Sequence, residues 1–211
     1  MAGRYHEVMF TPPVLEAQRH AHGGAASVPP QPANDPLGED EAAFIRERDS
    51  FYLATVSPTG WTYLQHRGGE AGFLRVLGPG RLGFADYQGN RQLISTGRLG
   101  ADDRVSLFLM DYPQRTRLKI IGHASVLDAR EHPELLASLA GPRERRITER
   151  LFLIDVVSFD WNCPKHITPR YTAAEVNASV AGLHARIREL EGALAARTEI
   201  SANQKQNPTK V

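Results

Sequence analysis

This 211-residue chain has few of the residues that mark disulfide-rich or metal-binding proteins, and almost no net charge. Its single cysteine, Cys163, excludes an intramolecular disulfide framework and a multi-cysteine metal site. The eight histidines show no spacing with carboxylates that specifies a metal site, so we expect no metal. A formal net charge of +1 is too small to recruit nucleic acid, so any anion binding must be local.

Long apolar runs are also missing. The best run, residues 151–159, is too short to cross a bilayer and is interrupted by Asp155. Residues 1–7 lack the apolar core that a signal peptide needs. We therefore expect a cytoplasmic protein with neither a membrane nor a nucleic acid as its partner.

Short apolar segments separated by turn residues run through the middle of the chain. Residues 57–60 and 78–80 are turn signals, and residues 117–127 alternate as a strand with one buried face does. Seven strands are predicted, at residues 51–56, 61–67, 73–77, 81–85, 105–111, 117–127 and 151–161. Because closure removes exposed edges, we predict a mainly β protein built as an antiparallel barrel with small helices.

Helices are predicted before and within this β region. Two prolines introduce a short helix over residues 11–20, a Gly/Pro-rich connector follows over 21–38, and a second helix covers 39–48. A third is predicted over 128–139, where Asp128 and Glu131 have capping-box spacing.

The C-terminal segment predicts one amphipathic helix. Thr172 and Glu175 have capping-box spacing, and a stripe of apolar residues follows at intervals of four and three: Val176, Val180, Leu183, Ile187, Leu190 and Leu194. The stripe is too short for a convincing free coiled coil, so we expect it to pack on its own barrel or on a partner subunit. The predicted parts are an arm and connector (1–38), the barrel (39–171), the helix (172–200) and a polar tail (201–211).

Residues 83–92 predict a strand, a glycine-containing turn and a helix that begins at Asn90. The backbone N–H groups at a helix N-terminus favour an anion, so Arg91 and the amides of Asn90 and Gln92 form a candidate phosphate seat. A second basic segment, residues 65–67, lies one hairpin upstream.

Both parts of this seat also have an ordinary structural interpretation. Many helices begin after a Gly-Asn turn for capping alone. Arg67 and Arg91 are also candidates for surface ion pairs with acids such as Glu70 or Asp86.

Taken together, residues 50–56, 60–67, 83–92 and 104–122, and more loosely 159–170, resemble the flavin-binding split barrels related to pyridoxamine 5′-phosphate oxidase. The resemblance implies a split barrel of six to seven strands and FMN bound at a homodimer interface, with the ring between two barrels. It implies these cofactor-binding residues: Gln65, His66, Arg67, Phe84, Ala85, Asn90, Arg91, Gln92, Arg117 and Trp161.

In this resemblance Arg91 matches the phosphate-binding arginine of the family, and Gln92 stands where the oxidases place a lysine. Arg67 is the candidate to replace that missing charge. Residues 140–146 and 161–167 match neither the substrate-phosphate segment nor the closing motif of the true oxidases, which leaves the oxidation of vitamin B6 compounds open. The candidate substrate-pocket residues are Lys165, His166 and Arg170.

The leading hypothesis is an FMN-dependent oxidoreductase that acts on an unidentified small molecule or a second redox carrier. No pair of side chains commits to general acid–base roles, so no catalytic residue is assigned. The alternative is a non-catalytic flavin- or haem-binding protein on the same barrel, with His66 or His166 as an axial ligand. A third interpretation is a structural homodimer whose pocket has decayed.

Overall fold

The computed structural model describes residues 3–31, 33–161 and 163–206, with side chains up to residue 197. The chain divides into two units, Met1–Thr168 and Pro169–Val211. The helices of the first unit are α1 (Gly3–Met9), α2 (Pro12–His22), α3 (Glu39–Arg46), α4 (Ile94–Leu99) and α5 (Pro133–Leu139), with a 3-10 turn at Glu144–Ile147. No helix among the described residues is both long and apolar enough to cross a membrane.

Seven strands confirm the predicted β region. They are β1 (Ser50–Val56), β2 (Thr62–Gly68), β3 (Arg75–Gly78), β4 (Arg81–Tyr87), β5 (Arg104–Asp111), β6 (Thr116–Asp128) and β7 (Thr148–Trp161). They form one sheet in the order β2-β1-β5-β6-β7-β4-β3, and every neighbouring pair is antiparallel. The sheet is therefore antiparallel throughout, as predicted.

The sheet coils into a split barrel. Three strands separate β1 from β4 in the sheet order, yet the rings of Phe51 and Phe84 lie 5.3 Å apart, centroid to centroid. Arg67 of β2 also reaches Asp86 of β4. Such contacts require the two ends of the sheet to curl towards each other around a shared apolar core. That core includes the fully buried Phe152, whose ring stacks on Phe84 at 4.8 Å.

The N-terminal arm confirms one prediction and adds a helix that the sequence did not predict. Helix α2 covers the predicted segment, whereas α1 precedes it. Helix α1 packs against β7 and buries Tyr5. The Arg4 backbone N–H donates to Asp35 Oδ2 (3.0 Å), and Ser158 of β7 donates its hydroxyl to the same oxygen (2.5 Å). Helix α1 and part of the connector are thus held against the barrel by packing and hydrogen bonds.

Two helix starts were predicted wrongly. The helix expected at Asn90 begins at Ile94, because the Asn90 side chain accepts the Gln92 backbone N–H (3.2 Å) and offers the backbone a turn instead of a helix. The helix expected over 128–139 begins at Pro133. Asp128 is the last residue of β6, and its carboxylate accepts the Arg130 backbone N–H (2.9 Å).

The second unit consists of helix α6, Ala173–Gln206, together with the residues that flank it. Its start confirms the capping box. The Thr172 backbone N–H donates to Glu175 Oε2 (2.7 Å), and the Glu175 N–H donates to Thr172 Oγ1 (3.2 Å). The helix continues to Gln206, beyond the end predicted at residue 200, and residues 207–211 of the predicted polar tail lie outside the described residues.

Candidate functional site: an arginine-lined cavity

A cavity of about 210 Å³ lies between strand β2, the end of β4, the start of β7 and the loop that leads into α4. It brings together five of the ten predicted cofactor residues: Gln65, Arg67, Asn90, Arg91 and Gln92. The two basic segments singled out in the sequence therefore meet at one place. Residues outside these ten, among them Tyr63, Asp86, Ser95 and Arg150, complete the lining.

Strand β2 supplies alternate residues to the cavity. Tyr63, Gln65 and Arg67 share the partly buried face of the strand, because successive side chains point to opposite sides of a sheet. His66 lies on the exposed face, where its ring contacts Tyr52 edge to face (5.7 Å). The structure therefore does not bring His66 into the cavity with its neighbours.

The central feature of the cavity is a carboxylate held between two guanidinium groups. Asp86, only 5% exposed, accepts hydrogen bonds from Arg67 through Oδ1 and from Arg150 Nε through Oδ2 (2.8 Å). The Arg67 guanidinium also lies over the ring of Phe152 (5.2 Å). This contact and the ion pair hold Arg67 in a fixed orientation.

These ion pairs leave positive charge at the cavity. Arg91, which is 68% exposed, approaches Glu149 Oε1 at 3.8 Å, and Arg150 also contacts Glu149 (3.0 Å). Three guanidinium groups thus face two carboxylates. In addition, Arg67 Nε is buried and has no hydrogen-bond partner. A buried donor without a partner is costly, and an anion in the cavity would be its natural acceptor.

The loop before α4 presents Arg91 through an uncommon backbone conformation. Arg91 and Leu93 have φ values of 59° and 54°, in the left-handed region that non-glycine residues rarely adopt. The loop is tied to β2, because Ser95 Oγ donates to Gln65 Oε1 (3.1 Å). The candidate phosphate seat therefore consists of this loop and the arginines, and not of a helix N-terminus at Asn90.

The remaining predicted cofactor residues lie elsewhere. Phe84 and Ala85 are buried in the barrel. Arg117, at the start of β6, places its guanidinium 6.0 Å from the Phe108 ring, and its Nε is buried without a hydrogen-bond partner. Trp161, at the end of β7, donates its indole N–H to Glu41 (2.6 Å) and so ties α3 to the barrel.

The predicted substrate-pocket residues follow the barrel. Lys165 and His166 occupy an exposed turn after β7, and His166 has a φ of 64°. Arg170 is exposed and belongs to the second unit of the chain. Within the described part of the chain, no group of three His, Cys, Asp or Glu side chains is placed to hold a metal ion.

Arg150 is the most important site residue that sequence reasoning missed. It belongs to a local basic run with Arg143, Arg145 and Arg146, and from the sequence alone such a run is best interpreted as a solvated helix face. Arg145 instead donates to two carbonyl oxygens of α5 and the residue after it. Arg150 lies on β7 opposite Asp86 of β4, a register that joins residues 64 positions apart.

The sequence also matches the profile of a known protein family. Residues 37–160 match the sequence profile of the family described as Pyridoxamine 5'-phosphate oxidase, which is more than half of the chain. The chain belongs to this family. The matched region begins just before α3 and ends one residue before the end of β7, so it contains all of the sheet except Trp161, together with the arginine-lined cavity. No curated protein matches the chain.

Solved structures similar to this family member have low sequence identity. A Clostridium acetobutylicum protein of the pyridoxinephosphate oxidase family, related to general stress protein 26, is 11% identical, with 65% of this chain and 94% of that chain covered and a TM-score of 0.44. An FMN-binding protein from Syntrophomonas wolfei is 10% identical (58% and 86%, TM-score 0.44). An F420 reductase is 16% identical (59% and 98%, TM-score 0.42).

Proposed function

We propose that this family member binds FMN with its phosphate in the arginine-lined cavity, and that it is an oxidoreductase for a small molecule or a second redox carrier. The observation that carries the proposal is the convergence of Arg67, Arg91 and Arg150 on one cavity in a chain of this family. A phosphomonoester carries close to two negative charges, and guanidinium groups bind such anions with paired, charge-assisted hydrogen bonds.

The residues present fit the phosphate end of FMN. Arg67 Nε is a buried donor without a partner, and Asp86 holds Arg67 and Arg150 in place before any ligand arrives. Groups fixed in this way lose little conformational freedom on binding. Arg150 therefore supplies the positive charge that Gln92 lacks, in addition to Arg67.

The size of the cavity indicates where the ring would go. At about 210 Å³ it is smaller than the roughly 300–1,000 Å³ of pockets that bury most of a drug-sized ligand. We infer that one protomer holds the phosphate and that the ring lies between two copies of the barrel. Bound there, FMN would supply hydride transfer. The protein residues would bind the phosphate, orient the ring and exclude water.

The outer face of β1, β5 and β6 offers a surface for a second copy. Two clefts of about 540 and 530 Å³ share Ala54, Ser106 and Ile121, and Leu64 on the neighbouring strand is exposed. Mostly apolar lining of this kind is typical of surfaces that are covered by a partner. This supports the homodimer as part of the proposal.

The decisive experiment compares FMN with riboflavin, which has the same ring and no phosphate. We expect the purified protein to show the two broad absorbance bands of a flavin, or to bind added FMN and quench its fluorescence. Riboflavin should bind at least about tenfold more weakly, since charged hydrogen bonds to the phosphate contribute about 1.5–3 kcal/mol each. Equal affinity for the two ligands would contradict the phosphate seat, and an intense Soret band would indicate haem instead.

The oxidoreductase half of the proposal needs its own measurement. Under anaerobic conditions, we expect a physiological reductant such as a nicotinamide or deazaflavin carrier to bleach the bound flavin, and air to restore its colour. A flavin that binds tightly and exchanges electrons with neither class of carrier would leave only the binding function.

A further inference from the structure

Helix α6 carries an apolar stripe that its own unit cannot bury. The second unit contains this single helix, so it offers no second element for the stripe to pack against. Leu183 is 65% exposed, and Ile187 and Leu190 are about half exposed. Apolar side chains repeated at this spacing are normally covered in a folded assembly.

The order of residue types along the stripe matches a parallel pair of helices. If Val180, Ile187 and Leu194 are placed at heptad position a, then Val176, Leu183 and Leu190 fall at position d. Two of the three a residues are β-branched and two of the three d residues are leucine, the combination that favours two parallel strands. At 1.5 Å per residue, the stripe is about 27 Å long.

Charged residues that flank the stripe specify the same arrangement. In this register Arg186 is at position g and Glu191, five residues later, is at position e. A parallel, in-register pair places the g residue of one chain beside the following e residue of the other, so two Arg186–Glu191 pairs form by symmetry. An antiparallel pair places g beside g, and Arg186 would then meet no acidic residue among the g positions of α6.

We propose that α6 pairs with α6 of a second copy of this chain as a short parallel coiled coil. In the single chain Arg186 contacts Glu189 (2.6 Å), but both side chains are largely exposed, and such pairs exchange at little cost. Fewer than three heptads are marginal for free helices. If the barrels also pair, as the proposed function holds, the two helices meet at a high effective concentration.

Disulfide trapping in the full-length chain tests the pairing directly. With the native thiol removed by Cys163→Ser, we would introduce either Leu183→Cys at position d or, as a matched control, Ala185→Cys at the outward position f. Under mild oxidation the d variant should give a covalent dimer about tenfold faster than the f variant, because d residues of a parallel pair come within disulfide distance and f residues do not. Similar rates for both variants would overturn the proposal.

A charge exchange tests the register. We would co-express two differently tagged chains, both with Cys163→Ser and Leu183→Cys, one with Arg186→Glu and the other with Glu191→Arg. Each variant repels itself, whereas the mixed pair has opposite charges at both contacts. Mixed dimers should exceed the roughly one-half that random pairing gives. A random ratio would overturn the register. As a control, the second chain would carry Glu189→Arg, at outward position c, in place of Glu191→Arg, and the ratio should then be random.

The size of the full-length protein separates this inference from the proposed function. A dimer by light scattering that is not trapped through position 183 would overturn the pairing of α6 and leave the barrel homodimer standing. A monomer would overturn both. Trapped dimers with no difference between FMN and riboflavin binding would support the helix pairing and contradict the phosphate seat.

Discussion

Two arrangements of aspartate and arginine in this barrel use the same charges in different surroundings. Asp86 is buried between Arg67 and Arg150, which come from two other strands. Asp102, in contrast, pairs with Arg104 only two residues away, at the start of β5, where Arg104 is 71% exposed and Asp102 is 19% exposed. The first arrangement is made by the fold, and the second by the local sequence.

The comparison shows which ion pairs can build a site. In water, an exposed pair gains little from its attraction, whereas a buried carboxylate must be fully paired or it destabilises the protein. Asp86 therefore fixes two arginines at the edge of a cavity, where their remaining N–H groups can face an anion. The Asp102 pair lowers the pKa of its own carboxyl group and holds no group at the cavity.

Removing Asp86 should give the largest effect. Asp86→Asn keeps the shape of the side chain but leaves two partly buried guanidinium groups without their counter-ion, so we expect a loss of about 3–5 kcal/mol in the free energy of unfolding, measured by urea denaturation. Asp102→Asn is the matched control and should lower the midpoint much less, because solvent screens its pair with Arg104. Added inorganic phosphate should recover part of the loss. An unchanged midpoint for Asp86→Asn would contradict the buried carboxylate's role.

Arg150→Ala tests whether the buried arrangement contributes to ligand binding. We expect FMN affinity to fall by about 2–3 kcal/mol, as when a charged hydrogen bond to the phosphate is lost, while riboflavin affinity stays the same. Fluorescence titration of both ligands measures the difference. Arg130→Ala removes an 88% exposed arginine paired with Asp128 and should change neither affinity. An equal loss for FMN and riboflavin would mean that Arg150 supports the fold and not the phosphate.

Arg91→Ala should have a smaller effect on the same measurement. Arg91 is already largely exposed and its approach to Glu149 is long, so water can replace part of what it contributes. We expect FMN to bind about 1.5 kcal/mol more weakly, at the lower end for a charged hydrogen bond, with riboflavin unaffected. FMN affinity that does not change would remove Arg91 from the seat.

The sequence predicted the parts of the molecule that depend on local patterns. Alternation and turn residues located all seven strands, and the spacing of Thr172 and Glu175 located the start of α6. The resemblance to the family also predicted Arg67 and Arg91 as residues of one site, and both line the same cavity.

What the sequence could not predict depends on contacts between distant strands. The role of Arg150 follows from the β4–β7 register, and no local pattern encodes which acid will face it. The prediction that a helix begins at Asn90 failed for a different reason. A side-chain hydrogen bond to Gln92 competed with the first helical turn, and propensity alone does not decide that competition.

The smallest effect on stability is expected for the pair of Asp102 and Arg104, although the pKa of Asp102 should change clearly. Hydrogen bonds from the Arg104 side chain, and then from its backbone N–H, lower the pKa of Asp102 to about 2. A lowered pKa contributes stability above the ordinary range of the group, and the contribution is lost as the pH falls through about 2. Arg104→Ala should raise the Asp102 pKa towards its ordinary value of 3.8 in an NMR titration. Because solvent screens this pair, the urea midpoint at neutral pH should fall much less than it does for Asp86→Asn. A loss of stability as large as that of Asp86→Asn would show that exposure does not separate the two arrangements.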